Sequence, residues 1–422
     1  MKSLLGILLF LLAGSGLAAD YPDLPPTAEV VEVLERLPTV AAARAAIRLE
    51  EANRQRLEAG PHETVLRLTG QRREVRPAPG AQYGEWNVAL ERAFRLPGKA
   101  ELDARLGQEG VEQARLALGD ALHEAARSLL KSWFAWVKEN VQTALWREQV
   151  ALIREQLAVV ERRIRAGDAP RMERLAAEAA LAQAEANLAQ ARFREQAAAT
   201  ELARRFPGLH LPAEVKPVLA SPPPFDAAYW RKKVLDHNHE LAAAQAAARR
   251  SRLMVARAEA ERLPDPTLGV HAGRERGGEE NVIGLTVSIP FGGAARAATV
   301  AAHRAEAEMA AQREALVAAR LALEAENLFQ GAQAAHAAAV SQTAAAQAME
   351  EAAALAARAY ALGEGGLNDL LTARRLALEA RLAATLATIE ASEARYRLLL
   401  DAHALWPIGA DEHEAEHAPL TP

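Results

Sequence analysis

The chain has 422 residues and a formal net charge of −5, and half of its residues are hydrophobic although only 5% are aromatic. Most of the apolar content is therefore small or aliphatic, which suits long, closely packed helices better than an aromatic-filled core. The charge balance gives no basic surface for nucleic acid. The lack of cysteine excludes disulfides, thiolate metal sites, a cysteine nucleophile and lipid attachment through an N-terminal cysteine.

The N-terminal segment 1–19 has the three parts of a secretory signal peptide. Lys2 supplies a positive charge, an apolar segment follows at 4–12, and small residues at 16–19 suit cleavage. The apolar segment is shorter than the ~20 residues that a membrane-spanning helix needs. We therefore expect the mature protein to be exported.

The segment 20–205 is the first of two predicted structural repeats. It is rich in Ala, Leu, Glu, Gln and Arg, which favour helices, and two short segments alternate polar with apolar residues as strands do. The predicted order is a helix at 27–59, a β-hairpin with strands at 63–73 and 83–94, a very long helix at 98–166 and a further helix at 170–205. The long helix would span roughly 100 Å.

The second repeat, 225–405, has the same order of elements. Pro97 and Pro290 are separated by nearly as many residues as Gly167 and Gly363, so two independent landmarks indicate a duplicated unit. The corresponding helix is predicted at 225–262, the hairpin strands at 266–275 and 281–291, the very long helix at 293–362 and the further helix at 367–405. A proline-rich connector at 206–224 separates the repeats, and a disordered tail is expected at 406–422.

Each of the four strands has about ten residues, the length of a tilted transmembrane strand. The last strand alternates Ile283, Leu285, Val287 and Ile289 with small or polar residues. This pattern is typical of a strand with one face in lipid and the other in water, although a small soluble sheet that caps a coiled coil has the same alternation. Four strands cannot close a barrel, so the lipid-exposed alternative requires several copies of the chain.

The order and spacing of these parts resemble the TolC family of outer-membrane efflux channels. The resemblance covers 27–405 and is carried by "LERAFRLPGKAELDAR" after the first hairpin, by "PDPTLGV" and "VIGLTVSIPFGG" around the second, and by the breaks "RIRAGDAPRMERL" and "AYALGEGGLNDLL". The PGK-type turn is most similar to the CzcC-type branch, which is associated with heavy-metal efflux.

This resemblance implies a homotrimer in the outer membrane that extends into the periplasm. The implied fold is mostly α with a small β part: long coiled-coil-like helical hairpins form an α-barrel, and four strands per chain contribute to a trimeric transmembrane β-barrel. The implied function is a passive exit duct for metal ions or small toxic compounds. The implied partners are a periplasmic adaptor, or membrane fusion protein, and an inner-membrane pump of the RND type.

The resemblance also assigns roles to the two breaks. Asp369 matches an acidic residue that helps to close the periplasmic aperture, and Glu364, Asp168 and Glu173 lie at the same level. Thr372 stands where the family pattern has a second acidic residue, so we expect a single ring of Asp369 carboxylates. The alternative is that these carboxylates merely stabilise helix N-termini.

Glycines at the breaks are expected to end the long helices, because glycine inside a helix costs about 1 kcal/mol relative to alanine. They would let the chain reverse and would leave small residues on which the adaptor docks. The four are Gly167, Gly363, Gly365 and Gly366.

Two histidine patterns do not build an enzyme. The segment "HEAEH" at 413–417 matches a zinc-peptidase motif, but no third ligand follows it and it lies in the expected tail. The segment "HNH" at 237–239 is placed in a predicted helix, where side chains two residues apart face different directions. We expect no enzyme activity, no cofactor and no metal site. A soluble periplasmic coiled-coil structural or adaptor-like protein remains the alternative to the channel.

Overall fold

The computed structural model of the protein describes residues 21–76 and 80–408. The predicted signal peptide and the "HEAEH" segment lie outside these residues. Eight α-helices and four strands are described: α1 Thr27–Glu35, α2 Pro38–Ala59, β1 Thr64–Val75, β2 Ala81–Ala93, α3 Pro97–Arg165, α4 Arg171–Arg205, α5 Ala227–Asp236, α6 His239–Ala260, β3 Thr267–Glu275, β4 Glu280–Ser288, α7 Ala294–Leu362 and α8 Leu367–Asp401. This content confirms the predicted fold class, mostly α with a small β part.

Three of the four pairs of corresponding helices have equal lengths, and α1 and α5 differ by one residue. α2 and α6 have 22 residues each, α3 and α7 have 69 each, and α4 and α8 have 35 each. Each half therefore contains the same series of elements, as expected for a duplicated unit.

Two predicted helices are each divided in two. The helix predicted at 27–59 breaks after Glu35, because Pro38 has no amide hydrogen and disfavours helical geometry in the residue before it. The helix predicted at 225–262 breaks at His237, and Asn238 caps α6 by accepting a 2.9 Å hydrogen bond from the amide of Leu241. The expectation that "HNH" lies within one helix is therefore wrong.

The chain forms two compact units. One unit comprises 21–40, 122–237 and 321–408 and contains both glycine-containing turns; it is called the turn unit below. The other comprises 41–76, 80–121 and 238–320 and contains all four strands; it is called the sheet unit.

An aromatic core holds the turn unit together. Trp133 donates a 2.8 Å hydrogen bond from its indole to the carbonyl of Asp23, and Tyr396 donates one of 2.6 Å to the carboxylate of Asp23. Trp406 and Ile408, with which the expected tail begins, are buried as well. The expectation of a disordered tail is therefore wrong for 406–408, and the rest of the expected tail lies outside the described residues.

The sheet unit contains one antiparallel sheet in the order β1-β2-β3-β4. β1 and β4 are its edge strands. α2, α3, α6 and α7 join the strands at one end of the sheet, and the β1–β2 and β3–β4 connections form its other end.

Candidate functional site: two helix turns and a two-faced sheet

The turn between α3 and α4 is a Schellman motif. Gly167 has φ of +78°, its amide donates to the carbonyl of Ile164 over 3.0 Å, and the amide of Asp168 donates to the carbonyl of Arg163 over 2.8 Å. The positive φ strains residues that carry a Cβ atom, which explains the glycine.

The turn between α7 and α8 has the same geometry. Gly363 has φ of +77°, its amide donates to the carbonyl of Tyr360 over 3.2 Å, and the amide of Glu364 donates to the carbonyl of Ala359 over 2.9 Å. The prediction that a glycine ends each long helix is confirmed. No atom lies within 4 Å of a Cβ built on Gly167 or Gly363, so backbone conformation alone selects glycine there.

The next two glycines of this turn have ordinary backbone angles, so lack of space and not backbone conformation favours glycine there. A Cβ on Gly365 would lie 3.3 Å from that of Ala359, so the return of the chain past α7 leaves little space. Gly366 is the N-cap of α8, and a Cβ there would lie 3.3 Å from Oδ2 of Asp369 in the first helical turn.

An apolar cluster joins the two turns. Its buried members come from all four helices that meet there: Val160, Ala177, Tyr360, Leu367 and Leu370. Only 4% of Tyr360 is exposed. The two turns thus pack against each other around the buried side chain of Tyr360.

Polar contacts of this phenol connect the α3–α4 turn with the α7–α8 turn. The Tyr360 hydroxyl donates a 2.8 Å hydrogen bond to Oε2 of Glu173 at the start of α4. The guanidinium of Arg163 lies 4.7 Å from the centre of the Tyr360 ring, and its Nε donates to Oδ2 of Asp168 over 3.1 Å. Arg163 and Tyr360 were not predicted from the sequence.

The ionisation of the phenol fits its role as a donor. Burial and the neighbouring Glu173 raise the pKa of Tyr360 above its ordinary value, so the hydroxyl keeps its proton at neutral pH. The pKa of Arg163 is also raised, chiefly by its hydrogen bond to Asp168.

The four predicted aperture carboxylates thus differ in their surroundings. Asp168 is bound to Arg163, and Glu173 to Tyr360. Asp369 and Glu364 are exposed, and neither has an ion-pair partner among residues 21–76 and 80–408.

The sheet has one apolar face that is exposed to solvent in a single chain. On the outermost strand, the exposed fractions are 86% for Ile283, 82% for Leu285 and 62% for Val287. The register places apolar residues of the other strands beside them: Leu66, Leu68, Trp86, Val88, Leu90, Leu268 and Val270. An apolar face of this size normally has a partner or lies in lipid.

The opposite face is polar and has internal ion pairs. Arg73 forms ion pairs with Glu85 and Glu275, each with a nitrogen–oxygen distance of 3.1 Å. Thr286 and His271 share a hydrogen bond of 3.3 Å on the same face.

A buried ion pair lies where the helices join the sheet. Lys99, only 1% exposed, donates a 2.8 Å hydrogen bond to Oδ1 of Asp265, and His62 lies 2.8 Å from Oδ2. Asp265 also accepts from the amide of Leu96 over 3.0 Å. This contact unites the "LPGK" and "PDP" motifs of the two halves.

None of the helices within 21–76 and 80–408 combines the length and apolarity required to cross a membrane. Within the same residues, no three His, Asp or Glu side chains come together in a group suited to hold a metal ion.

No protein-family model and no curated protein sequence matches the chain. Among solved structures, the outer-membrane channel OprN is similar with a TM-score of 0.75 at 18% identity, over 89% of each chain. The Campylobacter jejuni outer membrane channel CmeC gives a TM-score of 0.72 at 14% identity, over 92% of this chain and 87% of that one. The Vibrio cholerae outer membrane protein VceC gives a TM-score of 0.71 at 18% identity, over 90% of this chain and 99% of that one. The chain therefore has the fold of these outer-membrane proteins over most of its length.

Proposed function

We propose that the protein is an outer-membrane channel of the TolC family and the passive exit duct of a tripartite efflux pump. The observation that carries this proposal is the sheet, with one exposed apolar face and one polar face. That division suits strands between lipid and a water-filled lumen. The fold shared with outer-membrane channels supports the same reading.

The assembly we propose is a homotrimer. β1 and β4 each have a hydrogen-bonded neighbour on one side only within the described chain. An open strand edge is not tolerated in lipid, so the edges of neighbouring copies would pair and close a barrel. The α-helical hairpins would then surround a lumen on the periplasmic side.

The turn unit provides the proposed gate. A ring of Asp369 carboxylates, with Glu364 near it, would place negative charge at the periplasmic aperture. Asp168 and Glu173 would act through Arg163 and Tyr360, which hold the two turns together.

The same turns are the proposed docking surface. The exposed backbone at Gly167 and Gly363, with Gly365 and Gly366 beside it, would receive a periplasmic adaptor. The adaptor would connect the channel with an inner-membrane pump of the RND type. Metal ions or small toxic compounds are the proposed cargo, and the similarity of "LPGK" to the CzcC-type branch supports metals.

Separation of cell envelopes on a density gradient tests this proposal. We expect the protein in the outer-membrane fraction, as a trimer that converts to monomer on heating. A protein that stays soluble after lysis without detergent would instead favour the periplasmic coiled-coil alternative.

A further inference from the structure

Two arginines lie on the apolar face of the sheet, at the end formed by the strand connections. The register places Gly70, Trp86, Arg274 and Asn281 side by side, and Arg72 lies two residues beyond Gly70 on the same face. Both arginines are exposed, as is half of the Trp86 side chain. Apolar and basic groups thus meet at one edge of the exposed face.

The partners of these arginines are neutral. Arg72 donates to the side-chain amide oxygen of Gln82, and Arg274 donates to that of Asn281 over 3.2 Å. Neither has a carboxylate partner among residues 21–76 and 80–408. By contrast, Arg73 on the polar face contacts two carboxylates. The charge on the apolar face is therefore available to an anion from outside the chain.

The position of Arg72 and Arg274 along the strands defines their environment in the proposed channel. The helices join the opposite end of the sheet, so the connection end would face the cell exterior if the helices lie in the periplasm. Asn281, beside Arg274, precedes Leu285 by four residues, or about 14 Å along the strand. The arginines would then lie at the outer boundary of the hydrocarbon layer, where lipid phosphates are found.

We propose that Arg72 and Arg274, with Trp86 between them, bind the phosphate groups of the phosphorylated glycolipid of the outer leaflet, lipid A. Guanidinium groups bind phosphate with two parallel hydrogen bonds, and a tryptophan ring is favoured at a membrane boundary. Three such sites would surround the trimer. This inference rests on the proposed function.

The test uses the detergent-purified trimer and measures the temperature at which it converts to monomer on a gel. The probes are lipid A with both phosphates, the same lipid without phosphates, and inorganic phosphate. The variants are R72Q combined with R274Q, and R274Q alone in case the double variant does not assemble. R92Q is the matched control, because Arg92 lies on the same face near the helix end of the sheet.

We expect the phosphorylated lipid to raise the conversion temperature of the parent and of R92Q. The double variant should lose most of this shift and R274Q part of it, while dephosphorylated lipid and inorganic phosphate should have little effect. An equal shift in the parent and the arginine variants, or with both forms of the lipid, would overturn the inference. Failure to recover any outer-membrane trimer would contradict the proposed function as well.

Discussion

The Tyr360 hydroxyl donates a 2.8 Å hydrogen bond to a carboxylate oxygen of Glu173, which joins the end of α7 to the start of α4. Tyr360 is buried in the apolar cluster that α3, α4, α7 and α8 share. In the proposed channel this bond ties the two turns of one protomer together at the aperture. Its loss should therefore favour separation of the turns and an open aperture.

The Tyr360→Phe variant removes this bond and keeps the ring. A hydrogen bond of this kind contributes about 1 kcal/mol, which corresponds to roughly a fivefold change in the equilibrium between closed and open states. We expect a higher open probability in planar bilayers. Glu178→Gln is the control, because Glu178 lies on α4 and forms an ion pair with Arg174 of the same helix. Equal open probability in Tyr360→Phe and the parent would show that the bond does not restrain the aperture.

The Asp369→Asn variant tests the charge of the aperture. Three Asp369 carboxylates at close range should favour cations, so their neutralisation should lower the cation-to-anion permeability ratio measured from reversal potentials. Glu379→Gln is the matched control, since Glu379 is an exposed α8 carboxylate paired with Arg375. An unchanged ratio in Asp369→Asn would leave Asp369 as a carboxylate that stabilises a helix N-terminus.

A bulky residue beside the α7–α8 turn tests adaptor docking. Glu364→Trp adds bulk without the positive φ that would strain a substitution of Gly363. We expect loss of cross-linking to the adaptor, with normal trimer yield. Cross-linking is the deciding measurement, because Glu364 also lies near the proposed aperture and its replacement could lower efflux without affecting docking. Ala338→Trp, at an exposed site within α7, should have much smaller effects. Full efflux by Glu364→Trp would place the docking surface elsewhere.

Adjacent residues of β4 test which face meets lipid. Leu285 lies on the exposed apolar face and Thr286 on the polar face, beside His271. An arginine near the middle of the membrane costs about 2–4 kcal/mol, so Leu285→Arg should prevent stable insertion. Thr286→Arg should insert and alter conductance. Equal loss of membrane-inserted trimer in both variants would refute the assigned faces.

The ion pair between Lys99 and Asp265 predicts a dependence of stability on pH. Burial alone would raise the pKa of Asp265, but hydrogen bonds from Lys99, His62 and the Leu96 amide lower it from 3.8 to about 2. A carboxyl group with a lowered pKa stabilises the fold above its ordinary pKa, and this contribution disappears as pH falls through the folded-state value.

We therefore expect Asp265→Asn to unfold at a lower temperature than the parent at neutral pH. The difference should shrink between pH 3.8 and about 2 and should vanish below that range. Thermal unfolding of both proteins over this range provides the measurement. A difference that stays constant with pH would show that the carboxylate charge is not what stabilises this contact.

Local patterns in the sequence were sufficient for the four strands and for the long helices of both repeats, but not for two helix breaks. Long stretches of helix-forming residues end where glycines adopt a positive φ, and alternation identified all four strands. Pro38 and Asn238 carry clear local signals for helix boundaries, but the helix-forming residues on both sides of them concealed the breaks.

The contacts that define the site depend on residues distant in sequence. Tyr360 and Glu173 are 187 residues apart, and His62 and Asp265 are 203 apart. No local pattern indicates such pairs. One signal was available for Tyr360, which precedes Gly363 by the same three residues that separate Ile164 from Gly167. A phenol thus stands in α7 where α3 has the partly buried aliphatic side chain of Ile164.

The central claim is that the protein forms a channel through the outer membrane, and single-channel recording tests it most directly. Trimer extracted from the outer-membrane fraction with detergent is added to a planar lipid bilayer under a fixed potential. We predict discrete conductance steps that prefer cations and that Thr286→Arg changes in size. A bilayer that stays electrically silent with correctly assembled trimer, while a known porin conducts under the same conditions, would contradict the account.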